Sequence, residues 1–166
     1  MRIEGEVVII RPVDQVFDFV ADERNEPRYN SRMVRADKTS PGPIGRGTRF
    51  LAESAMLGRV VETTIEFTDY ERPRLLGSTS RSVVRLIKPV ATEIEGTLTF
   101  DAVAGGTRMR WAWDVETRGV LKLMSRIVAR AGERQEETMW GNLKHLLEEQ
   151  PMRSSSRGFA SGSRSR

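Results

Sequence analysis

Apolar and polar positions recur along this chain with two different periods, and the order of those periods predicts its architecture. Residues 3–10, IEGEVVII, read as a first strand, which Arg11-Pro12 breaks. Val13, Val16, Phe17 and Val20 then fall at i, i+3, i+4 and i+7, a single apolar stripe on a short helix. Pro12 suits its first turn, where a missing N–H costs nothing. A second short helix is predicted to begin near Pro27, to carry Tyr29 and to end before Met33.

From Val34 to Glu116 the period is two, and turn residues divide the stretch into strands. PGPIGRG at 41–47 is a turn-rich break. Residues 47–57 and 59–70 make two strands about a kink at Gly58. In the second, Val61, Thr63, Ile65 and Phe67 alternate with Glu62, Thr64, Glu66 and Thr68, an apolar face against a wet one. Pro73 opens a further strand to about Val84. Residues 93–103 and 107–117 form a hairpin closed by Ala104-Gly105-Gly106, where glycine supplies the positive φ of a tight turn. In its second arm Met109, Trp111, Trp113 and Val115 point one way, and Arg108, Arg110, Asp114 and Glu116 the other.

The last element runs from about 120 to 149. Val120, Met124, Ile127, Val128 and Ala131 make a first apolar stripe, and Met139, Leu143, Leu146 and Leu147 a second. Gly132 and the polar run 133–137 separate them, and a bend is predicted at Gly132, since glycine costs ~1 kcal/mol against alanine inside a helix. The order is therefore strand, two short helices, about six strands and one long helix. An antiparallel sheet of that length must bury a face, and only the long helix is large enough to cover it. The fold class is α+β: a curved antiparallel sheet wrapped around the C-terminal helix, with space for a small molecule between them.

Segments 11–30 (RPVDQVFDFVADERNEPRYN), 42–50 (GPIGRGTRF), 71–80 (ERPRLLGSTS), 105–109 (GGTRM) and 142–148 (NLKHLLE), in this order, resemble the START-like superfamily, in particular its polyketide cyclase/dehydrase and lipid-transport branch. The resemblance covers residues 1–149. It implies a helix-grip fold with about seven strands around an apolar cavity that takes lipids, polyketides or other hydrophobic small molecules. It also implies that the GPIGRG loop borders the cavity mouth. The family often has Trp where this chain has Tyr29.

Charge changes this picture less than it first promises. The chain has 166 residues, 27 Lys+Arg against 23 Asp+Glu and a net charge of +4. Four arginines and no acid lie in the Ser/Gly/Arg-rich segment 151–166, which leaves 23 basic and 23 acidic residues in positions 1–150. The domain, 1–149, is formally neutral; the tail, 150–166, is expected to be disordered and to attract phosphates only nonspecifically. No specific nucleic-acid partner is expected. Zero Cys and one His exclude disulfides, thiol catalysis and His-pair zinc sites, so no metal and no cofactor are expected. No stretch approaches the ~20 apolar residues of a membrane span. A cytoplasmic monomer or homodimer is expected.

The candidate ligand surface is the face carrying Met109, Trp111 and Trp113, whose alternative role is plain core packing. Phe50, Ile65 and Phe67 on neighbouring strands, and Met124, Ile127, Val128 and Met139 on the helix, are predicted to face the same space. Flexible methionines suit varied apolar ligands. Tyr29, Thr63 and Ser78 would orient the ligand. His145 falls off the helix stripe and is read as solvated. Tyr29 and Arg49 are the groups able to polarise a carbonyl, but no catalytic set is present and no catalytic residue is assigned. GPIGRG lacks the spacing of a phosphate cradle. The leading expectation is a binding or carrier protein. The first alternative is a polyketide cyclase or dehydratase, which requires ionisable groups converging inside the cavity. The second is a regulatory or toxin-like interaction protein with the tail as its handle.

Overall fold

A computed structural model describes residues 1–56, 58–85, 89–116 and 125–149. Strand β1 (Arg2–Ile9) is followed by helix α1 (Val13–Val20) and a 3-10 helix (Glu23–Arg28). Then come β2 (Met33–Lys38), β3 (Arg49–Met56), β4 (Arg59–Glu71), β5 (Leu75–Arg85), β6 (Pro89–Val103), β7 (Gly106–Glu116) and helix α2 (Ser125–Glu149). The strands form one seven-stranded antiparallel sheet in the order β1-β7-β6-β5-β4-β3-β2. It curves around α2 as a helix-grip fold.

The periodicities explain most of these elements. Val16, Phe17 and Val20 of α1 are buried, and the Phe17 ring sits edge-on to Phe100 at 5.1 Å and to Tyr70 at 5.2 Å. Tyr70 reaches that position because the β4–β5 register shifts between Phe67 and Asp69. The extra residue at Thr68 turns what would be an outward position inward. Val103 pairs with Gly106 across a two-residue turn, with Gly105 at φ +81.

Two boundaries differ from the sequence expectation. The second short helix starts at Glu23 instead of Pro27, because the Asp22 side chain accepts the Arg24 N–H at 3.2 Å and also binds the Arg24 guanidinium. That is an N-cap four residues earlier than the proline suggested. Strand β6 starts at Pro89, extending the hairpin backwards along β5.

Helix α2 runs without a break through Gly132. A Cβ there would come within 2.7 Å of Ile3 Cδ1, so the glycine serves close approach between α2 and β1. At the far end Glu148 accepts the Ile10 N–H at 2.7 Å, and Lys144 reaches the Val8 carbonyl at 2.7 Å. These contacts hold α2 along the first strand. Most of the second predicted stripe is buried, with Leu143 fully enclosed, Met139 and Leu147 nearly so, and Leu146 half-buried at its edge. Trp140, absent from the predicted stripe, is buried with them. Among the described residues, no helix is long and apolar enough to cross a membrane. Met124, the side chains of Ile127 and Val128, and the tail 150–166 lie outside the described residues.

Candidate functional site

Along the inner face of the sheet, side chains change size from one end to the other. Phe50 on β3 gives way to Ala52 and Ser54; Phe67 on β4 to Ile65 and Thr63; Leu76 on β5 to Ser78 and Ser80. On β6, Phe100 gives way to Leu98, Gly96 and Ile94. The large side chains fill their end completely: Phe17, Phe50, Phe67, Phe100, Ile9 and Met109 have less than 2% of their surface exposed. The small ones do not fill theirs, and a cavity of about 250 Å³ remains between the sheet, the 3-10 helix and α2.

The sheet side of this cavity is apolar with hydroxyls: Ala52, Ser54, Thr63, Ile65, Leu76, Ser78, Ser80, Ile94 and Leu98. The side under the helices is acidic. Glu23, Glu26 and Tyr29 follow one another at intervals of three, and a 3-10 helix has three residues per turn, so they share one face. From α2 come Gln135, Glu136, Met139 and Trp140, the spacing of one α-helical face. Among the described residues no Lys, Arg or His lines the cavity.

Glu136 is the organising group. One of its oxygens, Oε2, accepts the indole N–H of both Trp113 and Trp140, each at 3.0 Å. Burial raises its pKa, opposed by those two hydrogen bonds and reinforced by Glu26. Burial also pushes Glu23 well above the ordinary carboxyl range, helped by Glu26 beside it and by Asp22. Glu26 accepts the Asn30 side-chain amide at 2.6 Å. The Tyr29 phenol is held well above its usual pKa, first by burial and then by Glu26, Glu23 and Glu136, so it stays protonated. Its ring stacks on Trp140 at 5.9 Å. Asn142 of α2 donates to the Tyr29 carbonyl at 3.1 Å, tying the 3-10 helix to the long helix.

Gly96 makes room for the Trp113 indole: a Cβ on it would stand 2.4 Å from that ring and 2.1 Å from the Ala112 carbonyl oxygen. Trp111 is placed differently. Its ring lies across Gly5 of β1, where a Cβ would come within 2.3 Å, and it is buried in the core behind the cavity wall.

Of the residues expected to line a ligand site, Tyr29, Thr63, Ile65, Ser78, Trp113 and Met139 border the cavity. Phe50, Phe67, Met109 and Trp111 do not; they pack the filled end and the layer behind the wall, because neighbouring rings already occupy the space in front of them. Arg49 and His145 are exposed and outside the cavity. The GPIGRG loop does not border it either: Gly47 donates to the Phe67 carbonyl at 2.7 Å, at the filled end of the sheet. Sequence reasoning missed Glu23, Glu26, Glu136 and Trp140. Reading 23, 26 and 29 with a period of three, and noticing that 136, 140, 143 and 147 share a helical stripe, would have found them.

A profile for the family described as polyketide cyclase/dehydrase and lipid transport matches residues 1–148. Solved structures with the same fold include a conserved protein from Geobacillus kaustophilus, at 12% identity and TM-score 0.71, with 89% of this chain and 95% of that one covered. A START superfamily protein from Mycobacterium smegmatis matches at 12% identity and TM-score 0.66, covering 89% and 97%. The di-domain ARO/CYC BexL from the BE-7585A biosynthetic pathway matches at 19% identity and TM-score 0.68, over 89% of this chain and 46% of that one. At such identities the likeness is one of fold. No curated protein matches the chain.

Proposed function

The chain belongs to the polyketide cyclase/dehydrase and lipid transport family, and we propose that it binds or carries a small hydrophobic molecule between the inner face of its sheet and α2. The observation supporting this reading is the hollow itself. Three neighbouring strands, β3, β4 and β5, carry large side chains at one end and small or hydroxylated ones at the other, leaving about 250 Å³ unfilled. That is just below the ~300–1,000 Å³ of ordinary small-molecule pockets. Apolar burial at ~25 cal/mol per Å² supplies the affinity. Thr63, Ser78 and Tyr29 orient the ligand; Ile65, Trp113 and Met139 contact its apolar body. Phe50, Phe67, Met109 and Trp111 support the wall from behind.

Native mass spectrometry of the purified protein and a titration with the neutral fluorophore Nile red test this. Saturable one-site binding that Ser78→Phe weakens by about tenfold or more is the expected result. An interior that takes up no apolar probe removes the reading.

One observation favours a second reading, a cyclase- or dehydratase-type enzyme. Glu23, Glu26, Tyr29 and Glu136 converge on one wall, and a buried carboxyl whose pKa is raised is suited to proton transfer near neutrality. On this reading Glu23 donates a proton to a polyketone carbonyl that the Tyr29 hydroxyl hydrogen-bonds. Incubating a linear poly-β-ketone with the protein and with Glu23→Gln tests it. Accelerated, redirected ring closure that the variant loses is expected; the protein-free product mixture in both cases rules it out.

A further inference from the structure

The acidic wall narrows the ligand class. We propose that the molecule held in this cavity is a cation, an apolar body carrying a protonated amine seated against Glu23, Glu26 and Glu136. The inference rests on the binding reading above and adds the charge of the ligand.

Three carboxyl groups line one side of a 250 Å³ space to which, among the described residues, no Lys, Arg or His contributes. Such an arrangement is costly, because carboxyl groups set close together beside an apolar space repel one another when ionised and lose hydration. Glu23 bears that cost most plainly. It is half-buried and faces the cavity, and the groups acting on it are two more acids, Glu26 on the same wall and Asp22 beside it. Its carboxyl shares a hydrogen bond with that of Glu26, acid against acid, so a proton held between the two takes the place of a counter-charge. The side-chain N–H donors nearby serve the other two acids: Asn30 donates to Glu26, and the Trp113 and Trp140 indoles to one oxygen of Glu136, while the Tyr29 hydroxyl lies on the same wall. An ammonium group brings up to three N–H donors and the missing positive charge.

The aromatic residues favour the same guest. Tyr29, Trp113 and Trp140 all border the acidic side, and ring faces attract a desolvated cation. The basic residues of the neighbourhood are elsewhere. Arg32 and Arg134 line a second, polar recess that shares Tyr29 and Gln135 with the first, and Arg32 is hydrogen-bonded to the Gln135 side chain. A fatty-acid or other carboxylate ligand would add a fourth acid to a wall with no counter-charge. The acidic wall therefore selects against anionic lipids.

The test is competition against Nile red by three probes with one apolar body: n-octylamine, n-octanol and n-octanoate, near neutral pH. Octylamine should displace the dye at a concentration about tenfold or more below that of octanol, a difference of ~1.4 kcal/mol. Octanoate should be the weakest. The Glu23→Gln/Glu26→Gln double variant, close in shape to the native side chains, should lose the preference for the amine and bind octanol as before. Glu136→Gln, which keeps an acceptor for the two indoles, is the second variant should the first fail to fold. Octanoate binding as well as octylamine, or an amine preference that survives both variants, overturns the assignment of charge while leaving the cavity reading intact. Failure of the dye and all three probes to bind overturns the cavity reading and this inference with it.

Discussion

Phe50, Phe67, Phe100 and Met109 close one end of the inner sheet face, whereas Ala52, Thr63, Ser78 and Ser80, a few positions along on the same sheet, leave the other end hollow. Both ends use the same β-register and the same alternation of inward and outward residues. What differs is side-chain volume on the strands and the polarity of the helical segment laid across them. Over the filled end lies α1, with Val16 and Phe17 pointing down. Over the hollow end lie the 3-10 helix and the middle of α2, which present Glu23, Glu26 and Glu136. One end contributes stability through close packing; the other gives up packing and accepts half-buried carboxyls. A site of this kind is a place where local rules of stability are broken together.

That contrast can be attacked from both ends. The largest effect should come from the filled end, where Phe67→Ala removes a fully buried ring and should cost about 3–5 kcal/mol in urea-melt stability. A loss below that of a surface substitution would show that the filled end is not the stabilising one. Next comes Gly96→Ala, which forces the Trp113 indole and the Ala112 carbonyl apart. It should cost about 1–3 kcal/mol and shift the tryptophan emission as the Glu136 hydrogen bond is lost.

Ser78→Phe sharpens the comparison from the hollow side. A ring placed in vacant space should reduce Nile red affinity by about tenfold or more, ~1.4 kcal/mol, with a smaller change in melting temperature than Phe67→Ala gives. Equal damage from both would mean the two ends are packed alike.

The smallest effect concerns pH. Glu23 and Glu136 have raised pKa values in the fold, so between the ordinary carboxyl value of 4.5 and their folded values the native chain holds protons that the unfolded chain has released. Their contribution to stability is thus fully present below 4.5 and is lost as pH rises through the folded values. Glu23→Gln should therefore raise the melting temperature at pH 8 by roughly 2–4 °C, about 1 kcal/mol, and leave it nearly unchanged at pH 4. A destabilised variant at pH 8 would contradict the buried-acid account.

Much of the filled end was legible in the residues. Val13, Val16, Phe17 and Val20 declare a helix stripe, and Val61 to Phe67 and Met109 to Trp113 declare strand faces, because burial of one face imposes its period directly on the sequence. The size gradient was legible too, strand by strand, though only the register shows that the small residues lie side by side. The acidic wall was not. Glu23 and Glu26 look like solvated charges when read with a period of 3.6, and Glu136 sits inside the polar run 133–137, which suggested a weak point in the helix. Trp111 shows the opposite failure: its parity is inward, yet Gly5 draws its ring back over β1 and out of the cavity wall.

The sequence by itself determined the order of elements, the alternating faces of 61–67 and the turn at Gly105, since these depend on contacts between near neighbours and on the backbone freedom of single residues. Only the tertiary structure decided that the end with small side chains is capped by acids. That outcome depends on where a 3-10 helix and a C-terminal helix from opposite ends of the domain meet over the sheet, held by Asn142 on the Tyr29 carbonyl and by Trp113 and Trp140 on Glu136. A carboxylate's environment is a property of its neighbours in space, and no period in the sequence carries it.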